Sequence, residues 1–144
     1  MAEGDAGTYN NFKEQVLLGN YNLGSGGNTI KVALMSGYTP NIDTHQVWSD
    51  ISASQASGAG YTAGGATLGS QTVTQDNTND RGVFDGADVT YTGLNVGTPS
   101  HAVMYKDTGT GSTSLLMFYW ELGRPSNGGD YTLVWNAVGI ATIT

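Results

Sequence analysis

Apolar and polar residues alternate with a period of two in several short segments of the chain. The pattern is clearest in TIKVALMS at 29–36, where Ile30, Val32 and Leu34 share one face. This period is typical of β-strands, because successive side chains point to opposite faces of a sheet. Similar segments, separated by glycine and asparagine, predict further strands at 66–74, 81–84, 87–92, 101–106, 114–122, 131–136 and 138–144.

One segment near the N-terminus has helical spacing instead. Phe12, Val16 and Leu17 fall on one face of a short helix predicted over 9–20. We expect Asn11 to cap its first turn through its side-chain oxygen. A helix this short is marginal on its own, so its Phe12 face must pack against another element.

The segments before and after this helix show a weaker periodicity of apolar and polar residues. Residues 1–8 are small and acidic, and we expect a loose N-terminus there. Gly19 is placed to end the helix in the left-handed conformation.

Residues 37–57 show no sustained period and predict a long loop, held down by Val47, Trp48 and Ile51. A loop of about 20 residues is uncommon in a compact domain and is usually functional or bound to a partner.

The order of these elements predicts the fold class. Short strands at regular spacing, with almost no helix, indicate a mainly β protein: a single-domain antiparallel β-sandwich or jelly roll over 1–144, with a short N-terminal helix. HAVMYK at 101–106 and SLLMFYWEL at 114–122 should form a hairpin. The second strand is apolar on both faces and should lie inside a sheet or between a sheet and another chain. Pro99 leaves the start of the first strand open, because proline cannot donate to a ladder.

The charge of the chain narrows the possible partners. Twelve acids against five bases give a net charge of −7, and only 12% of residues are charged, about half the usual share. The bases are scattered singly, so direct nucleic-acid binding is not expected. An anionic membrane would repel the chain, and no apolar run reaches the roughly 20 residues that span a bilayer. A surface rich in hydroxyls and amides suits a protein that packs against neighbours.

Cysteine is absent from the chain. Disulfides, thiolate chemistry and cysteine-ligated zinc are therefore excluded. The N-terminal MAEGDAGTYNNF has neither the basic segment nor the apolar core of a signal peptide. We expect the protein to be made and folded in a reducing cytoplasm.

The run SGAGYTAGGATL at 57–68 resembles a phosphate-binding loop at first sight. Gly58, Gly60 and Gly64 approach the G-x-G-x-x-G fingerprint, but the third glycine falls one residue late. That fingerprint also needs a following helix, whose N-terminus holds the pyrophosphate. The next residues, ATLGSQTVTQ, predict a strand instead. We expect the glycines, with Gly65, to let a strand bend and another backbone approach closely.

Candidate catalytic and metal-binding residues are few. Asp43 and His45 are the nearest approach to a zinc ligand pair, although an ordinary polar loop is the simpler interpretation. Asp85 and Asp88 could be a glycosidase pair or two turn aspartates. His101 begins a strand, where a solvent-facing or hydrogen-bonded histidine is expected.

Known motifs for other chemistry do not match either. The acidic and amide residues of 76–80 hint at calcium, but Arg81 and Ala87 stand where an EF-hand needs glycine and glutamate. No G-x-S-x-G serine elbow and no G-x-x-x-x-G-K phosphate loop occurs. We therefore expect no catalytic, cofactor-binding or metal-binding residues, and no enzymatic activity.

The aromatic residues leave one alternative open. Trp48 could stack on sugars, as in carbohydrate-binding modules, whereas Trp120 and Trp135 lie in apolar strands and should pack in the core. Methionines at 35, 104 and 117 also lie within strands and should fill irregular gaps.

Several segments taken together carry a resemblance to a known family. A short helix, TIKVALMSGYTP, VWSDI, GYTAGGATL, FDGADVTYT, AVMYKDTG, a buried strand and a closing GIATIT resemble small virion structural proteins of tailed bacteriophages. The similarity spans about residues 12–143. Its most specific pieces are GYTAGGATL and AVMYKDTG.

The resemblance implies a non-enzymatic part of a virus particle. A head decoration or cement protein is the first expectation: small, β-rich, oligomeric, possibly trimeric, and seated on the outer surface of the head over junctions of the major capsid protein. Such a protein is made in the host cytoplasm and needs no cofactor. A tail or baseplate protein and a carbohydrate-binding β-sandwich module remain as alternatives.

Overall fold

A computed structural model describes residues 4–144. In chain order the strands are β1 (Ala6–Thr8), β2 (Ile30–Met35), β3 (Ala66–Thr67), β4 (Thr72–Asp76), β5 (Arg81–Asp85), β6 (Val89–Tyr91), β7 (His101–Lys106), β8 (Leu116–Glu121), β9 (Tyr131–Leu133) and β10 (Ala141–Ile143). The helices are α1 (Asn10–Leu17) and α2 (Trp48–Ile51), with 3₁₀ turns at Ser52–Ser54 and Gly111–Thr113.

The strands form one large and two small antiparallel sheets. The large sheet has the order β1-β8-β7-β2-β3, and the small ones have the orders β10-β5-β4 and β6-β9. The mainly β, antiparallel, sandwich-like prediction is confirmed. Strands β7 and β8 pair directly, as the predicted hairpin requires, and β8 lies inside the large sheet between β1 and β7.

The three central strands of the large sheet are buried on both faces. In register, Val32 lies opposite Met104, which lies opposite Phe118; one residue along, Ala33 lies opposite Val103. The two rows point to opposite faces of the sheet, because neighbouring residues of a strand alternate. Both rows are almost completely buried. A sheet covered on two sides explains why SLLMFYWEL is apolar on both faces.

The two faces are covered by different parts of the chain. On the first face, Phe84 of β5, Val89 of β6 and Leu133 of β9 join the main core. On the second face, Tyr38 and Ile51 close over the sheet. Both residues that cover the second face belong to the predicted long loop, 37–57.

The structure corrects the prediction of 37–57 as loop throughout. Helix α2 and the 3₁₀ turn at Ser52–Ser54 lie within it. The predicted anchors do hold it: Ile51 is buried, Trp48 stacks on Tyr105, and Val47 forms a β-bridge with Leu115. The segment is ordered because it covers one face of the large sheet of its own chain.

The prediction of a loose terminus over 1–8 is wrong for the part that is described. Strand β1 pairs with β8, with Ala6 opposite Trp120 and Thr8 opposite Phe118. Residues 1–3 lie outside the described residues. The sequence Ala-Gly-Thr has low strand propensity, so tertiary pairing and not local preference makes this strand.

The predicted helix over 9–20 is present but differs in detail. It spans Asn10–Leu17, and Asn11 lies inside its first turn rather than at its cap. Phe12 packs edge-on against Phe118, as expected, whereas Leu17 is 88% exposed and faces away from the core. Gly19 has φ +77° and ends the helix in the left-handed conformation.

Most predicted strands are confirmed with shorter bounds, and one is divided. The predicted strand over 66–74 is two strands, β3 and β4, that belong to different sheets. Ser70, between them, has φ +52°, a conformation that a continuous strand does not contain. Strand β7 begins at His101, two residues after Pro99, so the proline does not enter the ladder.

Candidate interaction surface

An apolar groove lies between α1, β1 and β10. It encloses about 570 Å³. Its floor is formed by aromatic residues of β8 and its walls by α1 and the two strands. The lining residues are Ala6, Gly7, Thr8, Phe12, Lys13, Val16, Leu17, Phe118, Trp120, Ile140, Ala141, Thr142 and Ile143.

Two sheet edges face this groove. Strand β1 is the last strand of the large sheet, and β10 is the last strand of the three-stranded sheet. Among residues 4–144, no strand pairs with the outer side of either one. An unpaired edge presents free backbone N–H and C=O groups to whatever lies beside it. The groove therefore combines apolar walls with two rows of backbone hydrogen-bonding groups.

The rim of the groove carries exposed apolar side chains. Of the lining residues, Leu17 is 88% exposed and Ile143 is 70% exposed, and Leu18, which follows Leu17 in the chain, is 63% exposed. The charged residue in the lining is Lys13, whose Nζ donates to the side-chain oxygen of Asn10 at 3.0 Å. Clustered exposed apolar residues at a groove are typical of an interaction site.

A second cleft continues this surface across the three-stranded sheet. It encloses about 590 Å³ and shares Ile143 with the groove. Val73 of β4 is 55% exposed there. At its far end, Arg81 donates to Asp76 at 2.9 Å. The sheet thus projects beyond the core and leaves part of its surface uncovered.

The candidate metal pair Asp43 and His45 is not brought together. The Asp43 carboxylate accepts from the Asn10 side chain at 2.7 Å, whereas Nδ1 of His45 lies 2.9 Å from the Tyr38 hydroxyl and 3.1 Å from the Asn41 backbone nitrogen. Both side chains are thus engaged in holding the loop. Within residues 4–144, no three histidine or acidic residues are grouped closely enough to hold a metal ion.

A buried hydroxyl pair lies beneath that loop. The Tyr9 and Tyr38 hydroxyls are 2.8 Å apart, and the Tyr38 hydroxyl is also within hydrogen-bond distance of Nδ1 of His45. Burial raises the pKa of Tyr9 well above its usual range and that of Tyr38 to about 12. Both hydroxyls stay protonated at neutral pH, so the pair ties α1 to the loop without carrying charge.

His101 has a backbone hydrogen bond at Tyr38, so the prediction of a solvent-facing or hydrogen-bonded histidine is met in part. Its Nδ1 is buried and has no hydrogen-bond partner in the described part of the chain. The ring lies edge-on to Tyr38 at 5.7 Å and near Tyr119 at 6.1 Å. Desolvation lowers its pKa, although the facing Glu121 and a backbone hydrogen bond at Tyr38 oppose the shift. The ring is therefore packed as a neutral aromatic.

The remaining acidic candidates serve local structure. Asp85 accepts from the Gly86 backbone N–H, and Asp88 accepts from the Trp135 backbone N–H. Asp76 accepts from Asn79 and Arg81, which together lower its pKa. The contacts of Asp85 and Asp76 are those of turns and hairpins, as the simpler interpretation predicted, whereas Asp88 joins two segments that are 47 residues apart.

The tryptophans divide as expected. Trp120 and Trp135 are buried in the core, with ring centroids 4.9 Å apart. Trp48 lies parallel to Tyr105, with centroids 4.6 Å apart and 7° between the planes. One face of its ring is thereby occupied, which leaves less of it for a sugar.

The glycine run at 57–68 forms a loop that crosses other backbones closely. A Cβ on Gly58, Gly60 or Gly65 would lie 2.1 to 2.6 Å from a backbone oxygen of a neighbouring segment, and all three have positive φ. Strand β3 follows, with no helix, so the loop lacks the amides of a phosphate cradle. Close backbone approach is confirmed, whereas the predicted strand bend is wrong, because Gly58 to Gly65 precede the strand.

Sequence reasoning missed the groove itself. Its lining comes from segments that are far apart in the chain, and β1 was not predicted as a strand. The signal that could have pointed to it is the Leu17–Leu18 doublet, since one helix face cannot bury both residues.

No helix among residues 4–144 has the length and apolar character to cross a bilayer. Comparison of the chain with protein-family models, curated protein sequences and solved structures finds no match.

Proposed function

We propose that this chain is a non-enzymatic structural protein of a tailed-bacteriophage particle. In this proposal it is a decoration or cement protein that sits on the outer surface of the head, over junctions of the major capsid protein, and also contacts copies of itself. The observation that carries the proposal is the apolar groove flanked by two unpaired strand edges, a surface suited to another polypeptide.

The polar chemistry of the described residues supports a structural role. The histidine and aspartates that were candidates for a site each bind a backbone group or a neighbouring side chain in a loop. Catalysis requires titratable groups that converge on a cleft. The apolar groove instead has one charged side chain in its lining, Lys13, and is otherwise lined by apolar residues, small residues and threonines.

The charge of the chain also fits this role. A net charge of −7 disfavours contact with packaged DNA and favours basic patches on a protein shell. With few charges on its own surface, the chain would make most of its contacts through hydroxyl, amide and apolar groups. Such contacts suit stable assembly because they avoid the cost of desolvating ions.

The carbohydrate-binding alternative has less support. A sugar platform needs an open aromatic face, and Trp48 has one face on Tyr105. Near its edge, a Cβ on Gly111 would lie 3.6 Å from a ring carbon of Trp48. The stacking of Trp48 on Tyr105 is better explained as a contact that anchors residues 37–57 to the large sheet.

Co-sedimentation tests the proposal against its alternatives. The purified chain is mixed with emptied phage heads that lack their decoration protein, with isolated tails, or with immobilised glycans. We expect saturable binding to heads that weakens as salt is raised, because acidic-to-basic contacts are screened. Binding to tails alone would assign the protein to the tail, and retention on glycans alone would favour the carbohydrate-binding module.

A further inference from the structure

We propose that strand β4 of one copy of this chain inserts into the groove of a second copy, between its strands β1 and β10. The proposal rests on the self-contact that forms part of the proposed function, and it assigns that contact to named surfaces.

The groove has the features of a strand-binding site. Strands β1 and β10 belong to different sheets, yet both line the groove and both are edge strands. An edge strand that enters between them could pair, through its one free edge, with the backbone of either. This is the recognition mode in which main-chain hydrogen bonds give affinity and pockets for alternate side chains give specificity. The apolar pockets here are supplied by Phe12, Val16 and Leu17 of α1.

Strand β4 has the features of the matching donor. It is the five-residue edge of the three-stranded sheet, and residues 72–75 are exposed. Natural edge strands are usually protected by lysine, proline or a bulge. Strand β4, TVTQD, has no lysine or proline, and its register with β5 runs without a shift. Because side chains alternate along a strand, Val73 lies on one face of β4, from which it could enter an apolar pocket.

The charges of the two surfaces are complementary. The groove lining contains the ammonium group of Lys13 and no carboxylate. The hairpin that carries β4 has three carboxylates, Asp76, Asp80 and Asp85, against the single guanidinium of Arg81. A chain with net charge −7 repels its own copies over most of its surface. A groove free of acids is therefore where a second copy meets least repulsion.

The contact would be heterologous, because β4 and the groove are different surfaces of one chain. Each copy then offers one strand and one groove. Repetition of such a contact closes a ring or extends a filament. A small closed ring is the outcome that would suit a decoration protein, and it would cover the exposed Leu17, Leu18 and Ile143 of every copy.

Complementation between two variants tests the contact. Val73→Lys places a charge on the donor strand, and Leu17→Lys places one at the groove, since Leu17 lines the groove but not the cleft beside β4. Val134→Lys is the matched control, since Val134 is 57% exposed and lies outside both surfaces. The mass of each chain is measured by light scattering, alone and in equal mixture, after circular dichroism confirms folding. If Val73→Lys lowers the folded fraction, Thr72→Lys replaces it.

The expected results are specific to a strand-in-groove contact. Wild type and Val134→Lys form oligomers, while Val73→Lys and Leu17→Lys are monomers. Their mixture forms a dimer and stops there, because one intact strand meets one intact groove. A monomeric wild type, oligomers of Val73→Lys, or a mixture that stays monomeric would each overturn the proposal.

The outcome is separable from that of the proposed function. Folded monomeric Val73→Lys that still co-sediments with heads would support the strand contact and the shell contact independently. Wild type that is monomeric in solution but binds heads would overturn the self-insertion and leave the proposed function standing.

Discussion

Replacement of Gly65 by alanine is expected to be severely destabilising. A Cβ at this position would lie 2.1 Å from the Val32 carbonyl oxygen and 2.7 Å from the Ala33 Cα, both in the backbone of β2. Gly65 also has φ +87°. Strand β2 lies inside the large sheet, paired with β3 and β7, so it cannot yield without disturbing both neighbours.

The magnitude follows from two separate costs. A non-glycine residue with positive φ costs about 1 to 3 kcal/mol. Forcing an extra carbon into a packed site costs about 1 to 3 kcal/mol more. The sum, about 2 to 6 kcal/mol, is a large part of the stability of an ordinary domain, about 5 to 15 kcal/mol.

Two matched glycines separate these costs. Gly109 has φ +83° but nothing within 4 Å of its Cβ position, so its alanine variant carries only the backbone cost. Gly64 has φ +92°, and a Cβ there would lie 3.3 Å from a side-chain atom, the Tyr105 hydroxyl, and not from backbone. The expected order of destabilisation is therefore Gly65→Ala, then Gly64→Ala, then Gly109→Ala.

Thermal unfolding measures the order. For a chain of this length each kcal/mol lowers Tm by about 3 °C. We expect Gly65→Ala to unfold at least about 3 °C below Gly109→Ala, or not to fold at all. Equal Tm values for these two variants would refute the argument that close approach to β2 is what requires glycine at 65.

Three further changes test other parts of the structure. Phe12→Ala should lower the free energy of unfolding by about 2 kcal/mol in denaturant titration, because it removes the half-buried ring that holds α1 on Phe118; an unchanged midpoint would show that the helix does not depend on this contact. Tyr38→Phe should cost about 1 to 3 kcal/mol, since it leaves the buried Tyr9 hydroxyl without its partner; full stability would contradict that hydrogen bond. Burial lowers the folded-state pKa of His101 below the ordinary 6.5, so the unfolded chain binds the proton more readily and the free energy of unfolding falls as pH drops below about 6.5. In denaturant titrations from pH 7 to 5, His101→Gln should lose this dependence of stability on pH. An equal pH dependence in both proteins would contradict the lowered pKa of His101.

The pattern of apolar residues along the sequence predicted the central strands correctly, because those residues are the ones that the large sheet buries. Strand β7 spans His101–Lys106, the predicted range, since its run of apolar residues is covered on both faces. The division of 66–74 could not be predicted in this way. It depends on Ser70 adopting positive φ, which gives the chain the turn it needs to pass from one sheet to another.

Elements made by tertiary contact were also missed. Helix α2 is only four residues long, and Asp50 supports its start by accepting from the backbone N–H groups of Gln46 and Val47. Those bonds also lower the pKa of Asp50. Strand β1 exists because it pairs with β8, and the groove in turn exists because β1 ends the sheet. A surface of this kind depends on distant segments, so no single stretch of sequence predicts it.

Electron cryomicroscopy of phage heads to which the purified chain has been added would show whether the protein binds the shell. We expect density for this fold at regular positions on the outer surface, over junctions between shell subunits, with neighbouring copies in contact. Heads that remain bare under saturating protein, or density found only on tails, would contradict it.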